Sequence, residues 1–230
     1  MQIQDVLEMV VEMDDATREQ VRELFTGIVN DVKAHLFLEE RDCLYCNDVK
    51  DMVEQLAELS DMITIVEHKG PLDIGEAKEW GVEHHPAIVL HGEDKYNVKF
   101  YGIPAGHEFG ALVGSIIDVS TGTAPLPPDV IEDIVSIDKP INIKVFVTPQ
   151  CPYCPDMTRL AHQASILNPL ISSEMIESLE FQELTTKYSV FGVPKTIINE
   201  TTIIDGLSPA EMFVEKLFEA IDNWHFQNSL

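Results

Sequence analysis

The chain has four cysteines, and all of them fall into two pairs with the same spacing, Cys43-Leu44-Tyr45-Cys46 and Cys151-Pro152-Tyr153-Cys154. None is left over to staple the fold, which points to redox chemistry or metal rather than structural disulfides. Disulfide exchange needs a thiolate, and a cysteine at a helix N-terminus is helped to lose its proton by unpaired N–H groups and the helix dipole. Each pair opens a stretch of helical apolar spacing: Val49, Met52, Val53, Leu56 and Leu59 after the first, and Met157, Leu160, Ala161, Ala164 and Leu167 after the second. Cys43 and Cys151 are therefore assigned the attack. Cys46 and Cys154, one turn further in, resolve the mixed disulfide, a step that the two-residue spacer makes intramolecular and fast. Zinc is the competing use, because two pairs supply four thiolates. Zinc ribbons separate their pairs by roughly 15–20 residues, whereas 104 residues lie between Cys46 and Cys151. Redox exchange fits better.

The elements that must position these pairs are written twice. The first copy reads as a helix at Asp15–Ile28, a buried strand at Ala34–Leu38, the cysteine pair and its helix, a strand at Met62–Val66 and a short helix near Glu76–Trp80. His85-Pro86, strands at Ala87–Leu90 and Val98–Tyr101, and a helix from Gly106 to Ile117 complete it. The second copy repeats the order: helix Val130–Ile137, strand Ile143–Val147, cysteine pair and helix, strand Glu174–Leu179 and helix Phe181–Tyr188. Val193-Pro194, strands Thr196–Ile198 and Thr202–Ile204, and a last helix at Pro209–Trp224 follow. Cys43 to Pro86 and Cys151 to Pro194 are both 43 residues. Thr121–Pro128, rich in Gly and Pro, reads as the junction, which divides the chain into units 1–121 and 122–230. The expected fold class is α/β, two tandem thioredoxin-like domains, each a mixed central sheet flanked by helices. Pro86 and Pro194 open a strand in both copies, and that recurrence predicts cis bonds beside the dithiols. His85, Pro86, Val193 and Pro194 then form an edge to which an extended substrate segment pairs by strand addition.

The motifs TPQCPYCP (148–155), FGVPKTIINE (191–200) and YGIPAGHEF (101–109), with the paired Cys-x-x-Cys units, resemble the protein disulfide oxidoreductases. These are glutaredoxin-like proteins of archaea and some bacteria with tandem thioredoxin folds, and the similarity covers essentially the whole chain. The resemblance implies protein-disulfide reductase activity with oxidase or isomerase activity beside it. It also implies electrons from a thioredoxin-reductase-type flavoprotein, attacking Cys43 and Cys151, resolving Cys46 and Cys154, and cis-prolines Pro86 and Pro194. The flavoprotein-linked peroxide reductases have a similar tandem region whose first copy lacks the cysteine pair, so the intact Cys43/Cys46 argues against that subfamily. One departure concerns proton transfer. Thioredoxins carry a buried Asp six residues before the attacking cysteine, where this chain has Phe37 and Val145. The resolving proton must then go to water or to an acid such as Glu39 or Glu183.

Charge narrows the partners. Acids outnumber Lys and Arg 40 to 15, a net charge of −25 that disfavours nucleic acid and anionic membranes. No Lys or Arg precedes Arg18 and no apolar run is long enough to span a bilayer, so a cytoplasmic location is expected. The expected partners are protein disulfide substrates and the flavoprotein donor, with a peroxiredoxin as partner in an alternative electron-relay role, and no organic cofactor is called for. The two sites differ. Glu39, Glu40, Asp42 and Asp48 outweigh Arg41 around site one, whereas Asp156 and Arg159 cancel at site two, so Cys151 is expected to have the lower thiol pKa. A protonated His85 would offset part of that difference.

Overall fold

The computed structural model describes residues 13–39 and 43–228, and the side chains of these up to residue 223. Glu40, Arg41, Asp42 and the Trp224 side chain lie outside them. The first unit runs α1 (Asp15–Leu24), a 3-10 turn (Phe25–Gly27), β1 (Val32–Leu38), α2 (Cys46–Ala57), β2 (Ile63–Lys69), α3 (Gly75–Glu79), β3 (Ala87–His91), β4 (Val98–Tyr101) and α4 (Glu108–Thr121). The second runs α5 (Pro128–Ser136), β5 (Ile141–Val147), α6 (Cys154–Leu167), β6 (Ile171–Glu177), α7 (Gln182–Lys187), β7 (Lys195–Ile198), β8 (Thr202–Asp205) and α8 (Ala210–Asn228). Gly122 ends α4 in the left-handed region at φ 63°, donating to the Asp118 carbonyl, and Pro128 opens α5.

The eight strands form one sheet, in the order β2-β1-β3-β4-β6-β5-β7-β8. Each unit contributes four, and parallel pairing of β4 with β6, Val98 opposite Ser173 through Tyr101 opposite Ile176, joins them. The sequence predicts a mixed central sheet in each unit, and the two are continuous: burying the β4 edge against β6 satisfies backbone groups that an open edge would leave exposed. Strand side chains alternate between faces. Ala34, Leu36, Leu38, Ile143, Val145 and Val147 pack into a large core under α1, α2, α4, α5, α6 and α8. Phe37, Tyr101, Phe146 and Ile176 face the opposite side, with Trp80 beside α3. Among the described residues no helix is long and apolar enough to cross a membrane.

Candidate active site

Both dithiols are closed as disulfides, Cys43–Cys46 and Cys151–Cys154, each with Cα atoms 5.5 Å apart. In each, a tyrosine of the motif is the N-cap and the second cysteine is the first helical residue. The leading cysteine thus precedes the helix end, where the first N–H groups have no intrahelical partner. In each pair the second cysteine is the less exposed residue. Cys46 and Cys154 are buried at 5% and 0% exposure, Cys151 is 7% exposed, and Cys43 is partly exposed. Cys46 Sγ accepts a hydrogen bond from the Glu39 N–H at 3.3 Å.

The sheet brings the proline loops to the same place. Antiparallel β1–β3 pairing sets Phe37 opposite Ala87, and β5–β7 pairing sets Phe146 opposite Lys195. One step further, Pro86 and Pro194 face the ends of the strands that lead into the dithiols. Both His85–Pro86 and Val193–Pro194 bonds are cis. The proline carbonyls accept from Gly102 N–H (3.0 Å) and Gly206 N–H (2.8 Å). His85 and Val193 are half-buried, and Val193 packs against the core.

The same register corrects one equivalence. Phe37 corresponds to Phe146, so β1 ends one residue further from its cysteine than β5 does, and the partner of Val145 is Leu36. Phe37 and Val145 lie on opposite faces of the sheet. Leu36 and Val145 are both apolar, so neither site has an acid there.

The carboxyl groups the structure places near the sites are not ones the sequence singles out. Glu108, first residue of α4 in unit one, is 1% exposed and lies against α6, beside the Thr158 hydroxyl. Among the described residues, neither Glu108 oxygen nor the Thr158 hydroxyl makes a hydrogen bond of ordinary geometry. Burial pushes its pKa up to about 8, against the polar influence of Thr158 and with the Asp156 charge adding to the rise. The loop ahead of α4 also meets site two, where His107 N–H donates to the Pro149 carbonyl at 3.0 Å. At site one, beside Glu39 and Asp48 of its own unit, unit two supplies two buried acids. Burial raises Glu177 to about 7, against hydrogen bonds from the Glu180 and Leu179 N–H groups. Burial also raises Glu180 to about 8, opposed by the Ile103 N–H and assisted by Glu177 and Asp48. Glu108 had a faint signal, a carboxyl three and four residues before Ala111 and Leu112 on a buried stripe; Glu180, in a loop, had none.

Three charge expectations change. Arg159 is committed to Asp118, with contacts of 2.9 and 2.7 Å, and does not simply cancel Asp156. His85 Nδ1 is 3.5 Å from the Glu39 carboxylate, yet burial lowers its pKa below the ordinary imidazole value and so works against the positive charge that would offset the acids. The Glu39 carboxylate is thus turned to His85, while Glu183 is exposed on α7.

Residues 141–219 match the thioredoxin domain family. Over 213 residues, 92% of this chain, the sequence is 26% identical to the F component of alkyl hydroperoxide reductase from Staphylococcus epidermidis; the chain spans 39% of that protein's length. The NTD_N/C domain of alkylhydroperoxide reductase AhpF from Enterococcus faecalis superposes with a TM-score of 0.84 at 25% identity, covering 90% of this chain and 100% of that one. A protein disulfide oxidoreductase from Aeropyrum pernix superposes with a TM-score of 0.82 at 28% identity, covering 90% and 92%. The chain is a tandem thioredoxin-fold protein resembling the protein disulfide oxidoreductases, with one Cys-x-x-Cys disulfide in each fold.

Proposed function

We propose that this protein is a thiol–disulfide oxidoreductase acting on protein substrates through two sites, Cys43/Cys46 in unit 1–121 and Cys151/Cys154 in unit 122–230. The observation that carries the reading is the pair of closed dithiols, each at the head of a helix that buries one face and across from an X-Pro loop at a strand start. In the reductive direction the leading thiolate attacks a substrate disulfide, and the first substrate sulfur departs and takes up a proton. The resolving cysteine, relieved of its proton, then attacks the mixed disulfide. The second substrate sulfur leaves as a thiol, and two electrons have passed from dithiol to substrate. At site two Glu108 in its ionised form is the group that accepts the resolving proton, its raised pKa making it a stronger base toward a thiol than an ordinary carboxylate. His85, Pro86, Val193 and Pro194 present the edge for the substrate backbone. Exposed Leu44, Tyr153 and Phe191 supply apolar contacts for a polypeptide.

A thioredoxin-reductase-type flavoprotein would return electrons, in a reducing compartment such as the cytoplasm. Similarity to an alkyl hydroperoxide reductase component over 92% of the chain favours a second use of the same chemistry, an electron relay to a peroxiredoxin. Reduction of insulin by dithiothreitol tests the main reading. The full chain accelerates it, and Cys43→Ser/Cys151→Ser together abolish the acceleration. Undiminished turnover in that double variant would overturn the assignment.

A further inference from the structure

Among the described residues of the first unit, β1 brings no carboxyl of its own to the dithiol, and Glu39 just after it turns its carboxylate to His85. What unit two brings to that place is held unusually closely. Glu180 Oε1 accepts the Ile103 N–H at 2.6 Å. The preceding residue, Gly102 at φ +86°, donates to the Pro86 carbonyl, so a single peptide separates the acid's anchor from the cis-proline loop of site one. Gly102 has no room for a side chain: a Cβ there would stand 2.7 Å from Glu180 Oε1 and 2.9 Å from Glu177 Cβ. Glu180 N–H in turn donates to Glu177 Oε2 at 2.7 Å, while Glu177 Oε1 is buried without a partner among the described residues. The next residue, Phe181, packs its ring 5.3 Å from His84, two residues before Pro86. From inside the motif, the Tyr45 hydroxyl is held above the ordinary phenol range by burial and by the charges of Glu180, Glu177 and Asp48.

We propose that Glu180 is a positioning residue of the first site supplied by the second unit: its carboxyl, held on the Ile103 N–H next to the Pro86 loop, sets the electrostatic field in which Cys43 and Cys46 exchange electrons. An ionised carboxylate there disfavours the Cys43 thiolate and hence the reduced pair, whereas a protonated one does not. The first site therefore becomes a stronger reductant as Glu180 ionises. The groups acting on Glu180 are Glu177 on its own segment, Asp48 on α2 and the Ile103 N–H on the β4–α4 loop; both charged groups favour the protonated form. Tyr45 faces the same acids from the motif. The acid at site two, Glu108, is held differently, at a helix start rather than in a loop beside the proline turn.

The inference rests on the exchange reading of Cys43/Cys46 and is tested on the full chain with Cys151→Ser/Cys154→Ser, so that only the first pair reports. Its dithiol–disulfide equilibrium with glutathione is measured at pH 6 and pH 9, with and without Glu180→Gln. At pH 9 the substitution moves the equilibrium toward the reduced pair by roughly three- to tenfold, the effect of a half- to one-unit change in thiol pKa. At pH 6 the two chains agree. A shift of the same size at both pH values, or none at either, overturns the proposal, since a merely structural role has no reason to follow the ionisation of one carboxyl. Should Glu180→Gln not fold, Glu180→Asp draws the charge back by one methylene and gives a smaller shift confined to pH 9; its absence counts against the proposal equally. If the first pair fails to equilibrate with glutathione even with Glu180 intact, it is the exchange reading that falls.

Discussion

At the scale of single residues, the chemistry is divided between sulfur and carboxyl. Within each pair the first cysteine is the more exposed, Cys43 partly exposed and the buried Cys151 at 7% against 0% for Cys154, and the proposed order of attack follows that asymmetry. The carboxyls are tuned by burial. Glu108 has an ordinary pKa near 4.5 in the unfolded chain and about 8 in the folded one. Between those values the unfolded chain binds fewer protons, so this group's contribution lowers stability as pH rises through that window. Glu108→Gln removes that slope. Urea unfolding should find the variant and the parent alike near pH 4.5, and the variant more stable by on the order of 2 kcal/mol at pH 9. Its single-turnover disulfide exchange at site two should slow by roughly 10–100-fold. Equal exchange rates would remove Glu108 from the proton path.

At the scale of elements, the segment Gly102–His107 joins the two sites. It leaves β4, binds the Pro86 carbonyl and Glu180 at its start, reaches the Pro149 carbonyl through His107, and enters α4 at Glu108. Gly102 lies in the left-handed region against two glutamates, so neither its backbone nor its surroundings tolerate a Cβ. Gly102→Ala is expected to cost about 1–3 kcal/mol by thermal or urea unfolding. It should also lower reduction through site one by displacing the Glu180 carboxyl. Gly110, with open space where its Cβ would go, is the control position: Gly110→Ala should leave stability within about 0.5 kcal/mol or raise it, because Ala is favoured over Gly inside a helix.

At the scale of the whole molecule, two repeats share one sheet and one main core. The β4–β6 ladder crosses the boundary between the units. So do the Arg159–Asp118 ion pair, the Gln163–Asp118 hydrogen bond and the packing of Phe100 on buried His162 at 4.6 Å between ring centres. Cutting the chain at the junction would expose the β4 and β6 edges and leave Asp118 and Glu174 without the partners each draws from across the seam, Arg159 and Lys99. Calorimetry should therefore show one cooperative transition for the full chain, with calorimetric and van't Hoff enthalpies in agreement. Two separated transitions would show that the units are energetically independent.

Much of this organisation was legible in the residues. The cysteine spacing, the apolar stripe behind each pair, the recurring proline and the repeat itself all concern neighbours along the chain, where 3.6- and 2-residue periods report which face is buried. Most element boundaries followed from the same periods. The sequence could not show that β4 would lie beside β6, because an edge strand has the same pattern whether it meets solvent or another strand. It could not show that β1 ends one residue further from its cysteine than β5 does, since counting back from the cysteines assumes equal loops. Nor could it distinguish Glu108 and Glu180 from the other acids of a strongly acidic chain. Their pKa values are set by water excluded on bringing the two units together, and that exclusion is a property of the tertiary structure alone.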